Sequence, residues 1–391
     1  MKALPEWLRR YQGAWLAGDM TAGLIVTVML IPQSLAYALL AGLPPEVGLY
    51  ASILPMVAYA LIGSSMTLAV GPVAVASLMT ASALHPLAAS GSAEYVAMAV
   101  QLSLLSGAML LAFGAMRLGF LAHFLSHPVI SGFITGSAVL IAVGQLKHLM
   151  GVQIAGHNVL ETIHALINAI PQTKPVTFLL GLGSVIFLWA ARRFMATGLS
   201  KIGVSAKAAE LASKLAPMVA VIVSTALVAV FRLDETAGVS VVGTVPQGLP
   251  AFGFAMPSWS ALGPLWLPAL LISLVGFVES VSVAQSLALK REQRIKPNRE
   301  LLGLGAANVA SALSGGYPVT GGFARSVVNF SAGANTPLAG VISAALMAMV
   351  IAWMTGLFHY LPHAVLAATI IVAVSSLVDT ETLKEAWHYD R

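Results

Sequence analysis

The 391-residue chain is 58% hydrophobic and only 9% charged, with a mean hydropathy of +0.88, against about 25% charged residues in an ordinary soluble domain. Too few polar groups exist to cover a soluble protein of this size, so soluble enzymes, coiled coils and disordered chains are excluded and an integral membrane protein is left. The chain has no cysteine, which removes disulfide frameworks, thiolate metal sites and cysteine nucleophiles. Its net charge of +5 comes from basic residues spread along the chain, so nucleic acid is not an expected partner.

The N-terminal stretch, 1–19, carries Glu6 and Asp19 and no small-residue cleavage site, so it does not read as a removable signal peptide. A membrane-crossing helix needs about 20 mostly apolar residues. Such stretches run at 18–40, 47–63, 93–115, 127–149, 174–195, 215–232, 263–287, 336–357 and 362–379. Three weaker segments lie between them. Residues 67–84 are broken by Gly71-Pro72, 298–314 contain Asn308 with Gly303 and Gly305, and 317–332 open with Tyr317-Pro318 and hold Gly321-Gly322 and Arg325. Residues 233–260 read as an outer linker with room for a short strand. The predicted fold class is therefore an all-α integral membrane protein of twelve crossings or part-crossings.

Loop charges test that count. With the N-terminus inside, one cytoplasmic loop holds Arg192, Arg193, Lys201, Lys207 and Lys214, and another holds Lys290, Arg291, Arg294, Lys296 and Arg299. In all, 16 of the 20 basic residues fall inside, as positive-inside topology requires. The expected location is the inner (plasma) membrane, multi-pass.

The two halves repeat one pattern. An uninterrupted helix with Gln33, Ser34 and Tyr37 precedes the Gly71-Pro72 break; another with Glu279, Ser280, Ser282 and Gln285 precedes the Gly321-Gly322 break. Seven crossings before the second copy make it inverted in the membrane. Paired broken segments in inverted halves point to a transporter's binding site. Beyond each break a half-helix can start, at 73–84 and 323–332. Free N–H groups and the positive dipole end would then face a ligand, and two such starts together favour an anion. The bland alternative is a pair of Gly/Pro kinks. The candidate binding residues are Gly71, Pro72, Val73 and Ala74 at the first start and Gly322, Phe323, Ala324 and Arg325 at the second.

Arg325 sharpens the expected sign of the ligand. A cation in the membrane costs roughly 2.5–3.5 kcal/mol on insertion scales, and a helix start is the wrong end for it. A bound anion would reward the placement; so would an ion pair with Glu279, read as the only carboxylate deep in the membrane. Glu279 can pair with Arg325, hold a proton, or hold a small cation with Ser280 and Ser282. Gln33 and Tyr37, one helical turn apart, either line the site or bond between helices. The nine histidines lie mostly at helix ends and read as interfacial. No HExxH, GxSxG or P-loop occurs, so intramembrane hydrolases and ATP-driven pumps are unsupported and the chain is not expected to be an enzyme. Gly303-x-Gly305 reads as a close-packing device.

Several motifs in order resemble the SulP sulfate-permease family of anion transporters. They are Ile31-Pro32-Gln33-Ser34-Leu35-Ala36-Tyr37-Ala38, Ala41-Gly42-Leu43-Pro44-Pro45, Gly48-Leu49-Tyr50-Ala51-Ser52, Val70-Gly71-Pro72-Val73-Ala74-Val75, Asn298-Arg299-Glu300-Leu301, and Gly315 through Phe323. The resemblance implies fourteen crossings in two inverted sevens. Here it implies a core domain at 1–116 and 261–357 and a gate domain at 117–240 and 358–391. It places the anion between the third and tenth crossings, on Gln33, Tyr37, Val73, Phe323, Ala324 and Arg325, with Glu279 as the coupling residue. Many relatives have Ser where Ala324 stands, so one hydroxyl is missing. The chain ends at Arg391, after the twelfth crossing, without the family's last two gate helices and STAS domain, and is expected to be a piece of a longer protein. The expected function is secondary transport of sulfate, bicarbonate, chloride or a dicarboxylate, coupled to H+ or Na+, by core-against-gate alternating access. The rivals are an anion channel with the same site and a nucleobase-type symporter, which Arg325 opposes. No cofactor is expected beyond a co-transported ion; the expected partners are the anion, membrane lipid and a second copy in a homodimer.

Overall fold

The computed structural model describes residues 5–123, 127–154, 159–250 and 259–375. In chain order the elements used below are α1 (Leu16–Leu40), α2 (Pro45–Tyr50), α3 (Leu54–Ile62), β1 (Val70–Gly71), α4 (Ala74–Leu84), α5 (Ala93–Ala115), α6 (His127–Met150), α7 (Pro175–Ala190), α8 (Ala216–Phe231), α9 (Trp259–Leu289), α10 (Pro297–Leu313), β2 (Thr320–Gly321), α11 (Phe323–Ala332), α12 (Leu338–Trp353) and α13 (His363–Ser375). The chain divides into two compact units: residues 1–125 with 247–353, and 126–246 with 354–391.

Most predicted crossings reappear within a few residues, because helices apolar on every side are stable only in lipid or in a protein core. Three segments differ from expectation. The stretch 47–63 is not one helix but α2 and α3, parted by a turn at 51–53. Pro55 sits in the first turn of α3, where its missing N–H costs least. The weak segment 298–314 is the uninterrupted α10. Its Asn308 amide donates to the Leu304 and Val319 carbonyls and accepts from the Val319 N–H, so the polar residue is fully used in leading the chain toward β2. The end of the last predicted crossing, 376–379, lies outside the described residues, as does 251–258 of the linker. Elsewhere in that linker Val241 forms an isolated antiparallel bridge with Pro362.

In the first unit, α10 packs on α5 and α3, α12 on α1 and α3, α9 on α5, and α11 on α1. The α5–α10 contact is close because glycines meet. A Cβ on Gly107 would lie 2.8 Å from the Val309 nitrogen, and one on Gly305 2.8 Å from the Leu111 nitrogen. Gly303 meets Gly63 in the same way, at 2.8 Å from its Cα. The Gly303-x-Gly305 spacing thus lets α10 approach two neighbours at backbone distance, as small residues do between membrane helices.

Two carboxylates fasten loops of this unit. Glu300, at the start of α10, accepts from the Tyr59 hydroxyl at 2.6 Å, the Ser64 N–H at 2.8 Å, the Ser64 hydroxyl at 2.6 Å and the Ser65 N–H at 3.1 Å. Asp19, at the start of α1, accepts from the Asn335 N–H at 2.6 Å, the Thr336 N–H at 3.0 Å and the Thr336 hydroxyl at 2.7 Å. One carboxylate from each half therefore grips backbone in the other: Glu300 just before β1, Asp19 just after α11.

In the second unit, α13 packs on α6 and α7. α7 runs on through a π-helical turn, Ala191–Met195, into a short helix at Ala196–Lys201.

Candidate functional site

The two breaks meet. β1 pairs antiparallel with β2, Val70 opposite Gly321 and Gly71 opposite Thr320. This two-residue sheet supplies the partners that the interrupted helices leave unpaired, as buried backbone requires. Side chains complete it. The Ala69 N–H donates to the Ser326 hydroxyl at 2.9 Å and the Gly321 N–H to the Ser280 hydroxyl at 2.8 Å; the Gly322 N–H donates to the Ala69 carbonyl at 3.1 Å. Antiparallel pairing of equivalent segments is what a two-fold axis between inverted halves produces.

α4 and α11 start directly beyond these strands. Val73 is the N-cap of α4 and Gly322 that of α11, and neither helix has a side-chain cap. The first N–H groups of both helices, at Ala74, Val75 and Ala76 and at Phe323, Ala324 and Arg325, have no acceptor among the described residues. Pro72 has no N–H to leave unpaired at the approach to α4.

Arg325 is 3% exposed, and its Nη1 and Nη2 make no hydrogen bond. Its guanidinium lies between the breaks. A Cβ on Gly71 would stand 3.2 Å from Nη1, and one on Gly322 3.0 Å from Nη2 and 3.3 Å from Val73 Cγ1. Glycine at both positions is what admits the group. The ion pair with Glu279 does not form: the guanidinium nitrogens Nη1 and Nη2 of Arg325 have no bonded partner among the described residues. Tyr37, Tyr317 and Glu279 lie within electrostatic reach of Arg325 without bonding to it. The Glu279 carboxylate, the Gln33 amide and the Tyr37 hydroxyl have no hydrogen-bond partner among the described residues. The site therefore gathers polar groups whose bonding capacity is unspent.

Phe323 is 47% exposed and Ala324 is exposed, whereas Pro72, Val73, Ala74 and Tyr37 are buried and Gln33 is half-buried. Ser280 is committed elsewhere: it donates to the Gly276 carbonyl, meets the Thr320 hydroxyl at 2.6 Å and receives the Gly321 N–H. It braces β2 and has little capacity left for an ion. Ser282 is exposed, about one helical turn from Glu279, with no hydrogen bond to it.

Sequence reasoning missed several residues. Two further carboxylates, Asp19 and Glu300, are fully buried in protein. Each stands at a helix start, which made it look like an ordinary end residue. Tyr317, fully buried, bonds the Ser77 hydroxyl at 2.9 Å and ties α4 to the approach to β2. The sequence marked it only as the residue before Pro318.

This architecture is an inverted-repeat membrane-transporter fold with two discontinuous half-helices. The model of the sulfate permease family matches residues 16–391, and the chain belongs to that family, which comprises permeases rather than enzymes. It is similar to the chloroplastic sulfate transporter 4.1 of Arabidopsis thaliana, 36% identical over 99% of this chain and 55% of the relative. The probable sulfate transporter Rv1739c of Mycobacterium tuberculosis is also 36% identical, over 98% of this chain and 65% of the relative. The chain thus spans between half and two thirds of the length of these relatives. Among solved structures, the fold is similar to SLC26A9, with a TM-score of 0.90 at 23% identity, covering 99% of this chain and 62% of that one. It is also similar to the transmembrane domain of the cyanobacterial bicarbonate transporter BicA, with a TM-score of 0.83 at 26% identity, covering 95% and 92%.

Proposed function

We propose that the chain carries a small inorganic anion across a membrane by secondary transport, with the anion held between the starts of α4 and α11. The observation that carries this reading is Arg325, a buried guanidinium with two unpartnered nitrogens beside six unpartnered backbone N–H groups. Such a cation costs roughly 2.5–3.5 kcal/mol in a membrane; an anion accepting from it would offset that cost with charge-assisted hydrogen bonds. Sulfate is the first candidate, because relatives at 36% identity are named sulfate transporters. Bicarbonate is the second, from the name of a solved relative at 26% identity.

The proposal extends to mechanism. The unit holding the site acts as the core and moves against the other unit as gate. Glu279, within electrostatic reach of Arg325 but unbonded, carries the coupling H+ or Na+. The loop charges support a cytoplasmic N-terminus, and the proposed location is the plasma membrane. The test is uptake of labelled sulfate, bicarbonate, chloride and a dicarboxylate by proteoliposomes holding wild type or Arg325→Ala. Uptake of one anion by wild type, with large loss in the variant, is expected. Wild-type vesicles that take up none of the four, or a variant matching wild type, would overturn the reading.

A further inference from the structure

Two clusters of basic residues look alike in sequence, at 192–214 and 290–299. In the second, Arg291 and Lys290 are engaged with protein, while Arg294, Lys296 and Arg299 have no side-chain partner among the described residues. Arg291 donates to the Ala334 carbonyl at 2.6 Å and lies 4.4 Å over the Phe330 ring, with Lys290 at 5.9 Å from the same ring. In the first, Arg193 and Lys201 have no partner among the described residues, and Arg192 makes one long bond, 3.3 Å to the Val372 carbonyl. The nearby acid, Glu210, is taken by Lys214 at 2.6 Å. Three cations within ten residues are therefore exposed and uncompensated.

The backbone presents them at membrane depth. Arg192 stands about 26 Å along the helix from Pro175 at 1.5 Å per residue, close to the far edge of a hydrocarbon core about 30 Å thick. The π-helical turn Ala191–Met195 holds Arg192, Arg193 and Phe194. Beyond it, Ala208–Lys214 is bent by 49° from Ala216–Phe231, so the chain leaves the spanning direction before re-entering it. Apolar side chains are interleaved with the cations: Phe194 is 56% exposed and Ile202 76% exposed. A basic, bent segment with exposed aromatic and aliphatic side chains matches the chemistry of an anionic membrane surface, with headgroups for the cations and acyl chains for Phe194 and Ile202.

We propose that Arg192, Arg193 and Lys201 form a docking surface for anionic phospholipid, with the guanidinium groups on the headgroup phosphate and Phe194 and Ile202 in the acyl layer. Arginine suits this role because its planar fork can hold a phosphate with two bonds. The proposal is independent of the anion site, since none of its residues lies in that unit.

Native mass spectrometry on the purified, delipidated chain tests it, with phosphatidylglycerol or phosphatidylcholine added back. Wild type should retain phosphatidylglycerol preferentially, and the preference should fall as salt rises. Arg192→Gln, Arg193→Gln and Lys201→Gln should each lower retention by about fivefold. A charge-keeping triple variant, Arg192→Lys with Arg193→Lys and Lys201→Arg, should bind close to wild type. Because these side chains are exposed, the single variants should elute and melt as wild type does. Should a Gln variant fail to fold, the wild-type salt series still decides. Equal retention of the two lipids by wild type, or unchanged phosphatidylglycerol retention in the single variants, overturns the proposal.

Discussion

Gly71 lies against Arg325: a Cβ on the glycine would stand 3.2 Å from Nη1, 3.4 Å from Nη2 and 3.5 Å from Cζ. The residues are far apart in sequence, one at the end of β1 and the other in the first turn of α11. The guanidinium occupies the space a side chain at position 71 would fill. Gly71→Ala adds some backbone strain at a φ of +159°, and the flexible guanidinium end must give by a few tenths of an ångström. The substitution should displace the guanidinium and weaken anion binding by about tenfold, the equivalent of 1.4 kcal/mol. Isothermal titration of wild type and variant with the transported anion checks this; equal affinities would show that the contact does not set the guanidinium's position.

Arg325→Met separates affinity from stability. The apolar side chain removes an unpartnered buried cation, so the anion-free variant should melt higher in detergent than anion-free wild type. It should also lose most anion uptake. Arg325→Lys should not restore uptake fully, because an ammonium lacks the planar fork. A lower melting temperature for Arg325→Met would mean that the guanidinium has a structural partner.

Glu279→Gln probes coupling. The carboxylate touches no partner, and replacing it leaves the strand pairing of Val70 with Gly321 intact. Exchange of labelled for unlabelled anion should continue in proteoliposomes, while accumulation driven by a proton or sodium gradient should stop. Accumulation that survives the change would place coupling on another residue.

Glu300 is predicted to matter for stability far more than Glu279. Four donors converge on it and no cation joins them. Tyr59→Phe should cost about 1.5–3 kcal/mol, the range for one hydrogen bond to a charged group. Glu300→Ala removes the acceptor of the Ser64 and Ser65 N–H groups and of two hydroxyls together and should cost more, with a larger fall in melting temperature and in yield of folded protein. Asp19→Ala should behave likewise through Asn335 and Thr336. A melt for Glu300→Ala within a degree of wild type would contradict this.

Much of the molecule was legible in the sequence because membrane burial is a local, compositional demand. A span such as 93–115 must close its own backbone hydrogen bonds, so its limits follow from apolar length alone. The breaks at Gly71-Pro72 and Gly321-Gly322 were readable because adjacent Gly and Pro residues weaken a helix. What composition could not carry was pairing between distant segments. That β1 and β2 bond to each other, that Ser280 is spent bracing β2, and that Arg325 lies between two glycines rather than against Glu279 depend on how the halves dock. Asp19 and Glu300 show the limit most sharply. Each looks like a soluble end residue, because the N–H groups that make its burial affordable belong to loops hundreds of residues away, and only tertiary structure brings them within hydrogen-bond distance.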